Sequence, residues 1–213
     1  MTLVTDTETL STIASLAVGT GLVAGTLFFV VRSKSRERDK RQALWQRFAL
    51  DNRLHLDVGP DSLFDHGELR IQGRIGEQEV ELSTYRVKVG KSRQTWARVA
   101  SRVDGARGSF TVQRANLIHR AGALFGAKGV SIDKGAFDEQ FLTRSEPETL
   151  ARTVLDERLR AHFASLTRRP RLVCEDGVCE LSWHCGEESL EQLARAVELH
   201  ALLRTALARA NRA

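Results

Sequence analysis

The sequence predicts an α+β fold: one N-terminal transmembrane helix followed by a soluble domain with an antiparallel sheet and packed helices. Three observations predict it. Residues 9–31 carry no charged side chain. From Leu54 to Val112, apolar residues alternate with polar ones between turn signals. Beyond Ser145 and beyond Glu187, apolar residues recur at three- and four-residue spacing behind helix-start signals.

The composition fits that reading. Of 213 residues, 42% are hydrophobic and 28% charged, as in ordinary globular proteins, so disorder is not expected. About 170 residues lie beyond the first segment, enough to bury one core without staples. Arginine outnumbers lysine 26 to 6, a hint of a bacterial, GC-rich genome. Three cysteines are too few, and odd in number, for a disulfide framework, and they suit a reducing compartment.

Leu10 to Val31 is long enough to cross a hydrocarbon core, which takes about 20 apolar residues. Its glycines, Gly19, Gly21 and Gly25, suit a spanning helix. A cleaved signal peptide would open on a basic region and end in small residues. This segment follows Asp6 and Glu8 and ends Phe28-Phe29-Val30-Val31. Arg32, Lys34, Arg36, Arg38, Lys40 and Arg41 all follow it, and no Lys or Arg precedes it. Positive flanks stay on the cytoplasmic side. The expected organisation is a short extracytoplasmic tail over 1–9, a transmembrane helix over 10–31, a basic juxtamembrane linker or helix over 32–52, and a cytoplasmic α+β domain over 53–213. The location expected is the bacterial inner (plasma) membrane, single-pass, with the N-terminus out. Ala17, Gly21 and Gly25 stack four apart on one face, with Gly21 and Gly25 forming a G-x-x-x-G, so they are the candidate surface for a homodimer.

The elements after the membrane follow in order. Ser35 to about Asn52 is helical, with Leu44, Trp45, Phe48 and Ala49 on one side. Those residues either pack on the core or lie in the headgroup region. Leu54, Leu56 and Val58 form a strand that ends at Gly59-Pro60. Further strands carry Leu69 and Ile71, then Val80 and Leu82, then Tyr85, Val87 and Val89. The phase slips between Leu82 and Tyr85, which predicts a bulge near Ser83-Thr84. A hairpin loop at Gly90 to Ser92 leads to a strand over Thr95 to Val103, and a turn at Asp104 to Gly108 leads to Phe110 and Val112. Consecutive strands with short turns predict a meander. Leu117 to Lys128 reads as a short helix, followed by a brief strand at Val130 to Ile132 and the segment Phe137 to Thr143. Ser145-Glu146-Pro147-Glu148 reads as a capping box. The helix it starts buries Leu150, Val154, Leu155, Leu159, Phe163 and Leu166, with a break near Asp156. Asp176-Gly177 is a two-residue hairpin turn that pairs Cys174 with Cys179 and Leu172 with Leu181. The last helix runs from Glu187 to Arg212.

No catalytic, cofactor-binding or metal-binding residue is expected. Cys174, Cys179 and Cys185, with His184, lack the tight C-x-x-C knuckle of structural zinc sites, and Cys174 and Cys179 read as core residues. The six histidines are scattered, with no H-E-x-x-H. Asp133 with Asp138, and Asp156 with Glu157, read as loop and helix-start residues. No nucleophile elbow, P-loop or dinucleotide fingerprint occurs.

The feature that stands out is an acid-free basic block. Arg86, Lys88, Lys91, Arg93, Arg98 and Arg102 lie between Leu82 and Val103. Beneath an anionic leaflet such a hairpin is drawn to lipid headgroups. Alternatively, it is a solvated edge whose charges discourage aggregation. Nucleic acid is not expected, since only Trp96 and Tyr85 could stack on bases.

Gly129-Val130-Ser131-Ile132-Asp133, then Ala136-Phe137-Asp138 with Phe141, then Leu155-Asp156 with Leu159 and Leu181, resemble an uncharacterised bacterial family. Its members are membrane-anchored proteins carrying a domain of unknown function, with a similar order of strand, F-D-x-x-F, helix and hairpin. The resemblance covers the second half of the chain and implies a non-enzymatic membrane protein. The function expected is a membrane-anchored protein whose cytoplasmic domain is a binding or scaffolding module. The alternative is a membrane-tethered enzyme of unrecognised type at the inner leaflet. No protein partner is identifiable.

Overall fold

The computed structural model describes residues 36–60, 67–76, 78–103, 107–115, 129–166, 170–186 and 189–211. Contacts divide the chain into two units, Met1–Ala43 and Leu44–Ala213. Of the first, residues 36–43 are described and helical.

The second unit opens with helix α1 (44–51), which buries Trp45, Phe48 and Ala49 and exposes Leu50. The core therefore takes the apolar side of this helix. It ends in a Schellman turn: Arg53 adopts φ +56°, its N–H reaches the Leu50 carbonyl, and the Leu54 N–H reaches Ala49. The turn delivers the chain into strand β1 (His55–Val58). Strands β2 (Leu69–Ile75), β3 (Gln78–Val89), β4 (Ser92–Arg102) and β5 (Ser109–Arg114) follow, then helix α2 (Ala136–Gln140) and β6 (Phe141–Glu146). Helices α3 (Glu148–Val154) and α4 (Glu157–Ser165), the hairpin β7 (Arg171–Glu175) and β8 (Val178–His184), and helix α5 (Leu190–Ala210) complete the unit.

The strands form one eight-stranded antiparallel sheet in the order β1-β2-β3-β4-β8-β7-β5-β6. One face carries Ile71, Leu82, Ala97, Val99, Leu181, Trp183, Leu172, Cys174 and Val112, all buried, and the helices bury Leu193, Leu199, Leu203, Phe163 and Val154 in the same core. The other face is polar and holds its own ion pairs, Arg70 with Glu81 and Arg98 with Glu180.

The expected fold class needs correction. The fold is α+β on an antiparallel sheet, but among the described residues no helix is long and apolar enough to cross a membrane. Helix α5 has the length, 21 residues, yet it carries Glu191, Arg195, Glu198, Arg204 and Arg209. The segment Leu10 to Val31, with Ala17, Gly21 and Gly25, lies outside the described residues, as does the helix expected over Leu117 to Lys128.

Local expectations also change. The sheet is not a simple meander, because the β7–β8 hairpin lies between β4 and β5. Its buried Leu181 and Trp183 pair with Val99 and Ala97, so β8 extends the apolar face directly. There is no bulge at Ser83-Thr84, since β3 keeps an unbroken register with β4 from Glu81 to Val89. Thr84 holds a core-side position, where its hydroxyl accepts from the Leu69 N–H at 2.9 Å. The phase slip marks the end of the core under this strand rather than an inserted residue.

The strand expected at Val130 to Ile132 is a loop. The Asp138 carboxylate accepts the N–H groups of Ile132, Asp133 and Lys134, which a sheet would otherwise use. Ser145 is not an N-cap, because β6 continues through Glu146 and the helix begins at Glu148. The Ser145 hydroxyl accepts the Ala151 N–H instead. The break near Asp156 is real, and that carboxylate caps the next helix by accepting from Leu159.

Candidate binding surface: the projecting hairpin

The hairpin of β3 and β4 is longer than the strands that flank it. Register with β2 ends at Arg70 opposite Ser83, and register with β8 ends at Trp96 opposite His184. Beyond those pairs the two strands continue with each other to Val89 opposite Ser92. Leu69, where β2 begins, lies level with Thr84, and the residues from there to Val89, at about 3.3 Å each, carry the tip roughly 16 Å beyond β2. The turn is Gly90-Lys91, with Gly90 at φ +60° in the first central position, where a type II′ hairpin needs glycine.

Sequence dictates where the ribbon leaves the body. Up to Leu82 and Thr84 on β3, and from Ala97 on β4, the core-side positions are buried. The next core-side positions are Arg86 and Lys88, with Arg93 directly opposite Lys88. Side chains of that kind cannot sit under a helix without losing hydration, so the core stops there. The opposite side of the ribbon carries Tyr85, Val87 and Val89, and Val89 is 47% exposed. The tip thus has a cationic side, a side on which Val89 and Val87 face Ser92 and Gln94, and Lys91 at its end.

The six basic residues singled out in the sequence do not form one patch. Arg86, Lys88, Lys91 and Arg93 share the tip, and Lys88, Lys91 and Arg93 are exposed. Arg98 lies within the sheet on the polar face. Its Nε donates to the Ser83 hydroxyl at 3.0 Å, its Nη1 stands 3.3 Å from Glu180, and its guanidinium lies 5.5 Å over the Tyr85 ring. Arg102 is exposed at the far end of β4, opposite Val178. The projecting part of the hairpin holds no acid, because residues 83–102 contain none.

An aromatic row at the base of the ribbon escaped the sequence reading. Tyr85 stands opposite Trp96, and Trp96 opposite His184, across three adjacent strands. The Trp96 and His184 rings meet edge to face at 5.9 Å. Burial raises the Tyr85 phenol above its ordinary value, an effect that a hydrogen bond with Ser182 partly offsets. The first pairing depends on the turn: the loop expected over Gly90 to Ser92 would set Val89 against Arg93, whereas the two-residue turn Gly90-Lys91 sets Val89 against Ser92 and Tyr85 against Trp96. The second joins strands about 90 residues apart, and no local signal encodes it.

The groups considered for chemistry have structural roles. Cys174 and Cys179 face each other across the β7–β8 hairpin, and all three cysteines are buried free thiols. Burial pushes the Cys174 thiol up, away from the reactive thiolate. Among the described residues no group of three or more His, Cys, Asp or Glu could hold a metal ion. His200 is buried, with Nε2 at 3.2 Å from the Cys179 carbonyl and 3.3 Å from the Ser101 hydroxyl. A carbonyl only accepts, so Nε2 carries the hydrogen and is no base toward that serine. Burial lowers the His200 pKa to about 4, and the charge of Arg204 acts in the same direction.

The residues that carry the family resemblance are also structural. Asp138 ties the 131–134 loop, accepting the Ser131 hydroxyl at 2.8 Å as well as the backbone donors. Asp133 accepts the Gly135 N–H and stands 2.7 Å from Arg160 Nη1. Phe137, Phe141 and Phe163 pack together with tilted and edge-to-face rings, their centroids 4.9 to 6.2 Å apart. Leu159 and Leu181 are core residues. The chain matches no family model, no curated protein and no solved structure.

Proposed function

We propose that the α+β domain is a binding or scaffolding module on the cytoplasmic side of a bacterial inner membrane, with the β3–β4 hairpin as its contact element. The observation that carries this reading is the hairpin itself. It extends past both neighbouring strands and places Lys88, Lys91 and Arg93 on an exposed tip without a neighbouring acid in the ribbon. A ribbon serving only the sheet needs no such extension, and a compact cluster of cations favours anionic surfaces. Support for the membrane placement comes from the sequence: 23 charge-free residues, 9–31, followed at once by a basic stretch. Cell fractionation, with a reporter fused after Ala213, tests the placement. The chain is expected with the membranes and the reporter active in the cytoplasm. A chain found wholly in the soluble fraction, or a reporter active outside the cytoplasm, overturns it.

A further inference from the structure

We infer that the hairpin tip docks on an anionic lipid bilayer, with Val89 entering the interface and Lys88, Lys91 and Arg93 meeting the headgroups; this rests on the hairpin being the contact element. Three features of the tip point to a bilayer rather than to a folded partner. The cations lie at the end of the ribbon and on one side of it: Lys91 is in the turn, and Lys88 and Arg93 are paired across the strands just behind it. Val89, the residue that enters the turn, is a large hydrophobic side chain 47% exposed, where a polar residue would satisfy a solvated loop. Val87 continues the same side of the ribbon toward Tyr85 and Trp96. A tip with cations at its end and along one side, and Val89 exposed on the other, meets an anionic interface end-on, where charge lies outermost and hydrocarbon begins a few ångströms below. A folded acidic protein would complement the cations but would leave the exposed valine without a matching surface.

Charge dominates this attraction. Each cation held at an anionic surface is worth roughly a factor of five in affinity, so the three together contribute on the order of a hundredfold. Burying the valine side chain adds about another factor of five to ten. Both contributions are needed, which predicts binding that depends on lipid charge and falls steeply with salt.

The test uses the full chain carrying Val89→Trp, combined with lipid nanodiscs of neutral or anionic composition, and reads the emission of the new tryptophan against the unsubstituted protein. In anionic discs its emission is expected to shift to shorter wavelength and to be quenched by bromine-labelled acyl chains. High salt, or the added substitutions Lys88→Gln, Lys91→Gln and Arg93→Gln, should abolish both effects. Water-like emission in anionic discs, or equal quenching in neutral and anionic discs, overturns the inference. Immobilised heparin, a lipid-free polyanion, separates the two failures. Retention on heparin that depends on those three cations, without insertion into discs, leaves the hairpin a contact element whose partner is not a bilayer. Loss of both removes the hairpin from either role.

Discussion

Acidification loads the unfolded chain with a proton that the folded domain refuses at His200. The imidazole is buried, its Nε2–H donates to the Cys179 carbonyl, and Arg204 adds a positive charge one helical turn further on. An ordinary histidine takes its proton near pH 6.5, whereas burial holds His200 neutral down to about 4. The unfolded state therefore binds more protons between those values, and stability falls as the pH drops through that window. Between pH 7.5 and 5 the linkage amounts to about 2 kcal/mol, a large share of a small domain's stability. Urea unfolding followed by the fluorescence of the buried Trp45 and Trp183 measures it. His200→Gln keeps a donor for the Cys179 carbonyl but cannot titrate. The wild type should lose about 2 kcal/mol more than this variant on going from pH 7.5 to 5, whatever the variant's absolute stability. Parallel losses in the two proteins would refute the assignment of His200 as a buried neutral residue.

Other residues make sharper local predictions. Asp138→Ala leaves the donors of Ser131, Ile132, Asp133 and Lys134 without their acceptor and should destabilise the domain by about 1–3 kcal/mol in urea unfolding. Burial raises the Asp138 pKa, but these donors outweigh it and hold the carboxyl below its ordinary value. Its stabilisation is therefore present above the ordinary carboxylate pKa and fades as the pH falls through the lowered one, so the variant's acid limb should be flatter. Cys174, Cys179 and Cys185 should react with a thiol reagent only after denaturation, and melting should not respond to chelator. Fast labelling of the native protein, or one metal bound per chain, would contradict their place in the core.

How much of this was legible in the sequence follows from how local each signal is. The β7–β8 hairpin could be read residue by residue, because Asp176 and Gly177, at φ +50° and +75°, fix a two-residue turn and with it the pairing of Cys174 with Cys179. The partner of β8 on its other side could not be read, since Val99 and Leu181 meet across about 80 residues and any apolar strand would serve equally well. Thr84 was misleading because alternation rules count a polar residue as outward, and here a single backbone donor, the Leu69 N–H, makes it comfortable inside. Asp138 reads as a helix-start residue, and it does lie in the first turn of α2. Its role depends on a loop that folds back on it, which no periodicity reports. The tip of the basic block was readable to within one residue, the loop expected over Gly90 to Ser92 being the turn Gly90-Lys91. The separation of Arg98 from that tip was not, because it depends on Glu180 of a distant strand.

The tip of the β3–β4 hairpin is the contact element we propose for this domain. The most direct test is the affinity of the full chain for heparin as a function of salt, with and without Lys88→Gln, Lys91→Gln and Arg93→Gln. These exposed substitutions should change stability by less than about 0.5 kcal/mol each, so the comparison is between equally folded proteins. The triple variant should bind much more weakly, and its plot of log affinity against log salt should be shallower by about three, one unit for each cation removed. Identical affinities and identical slopes for the two proteins would contradict it and reduce the tip to a solvated edge of the sheet.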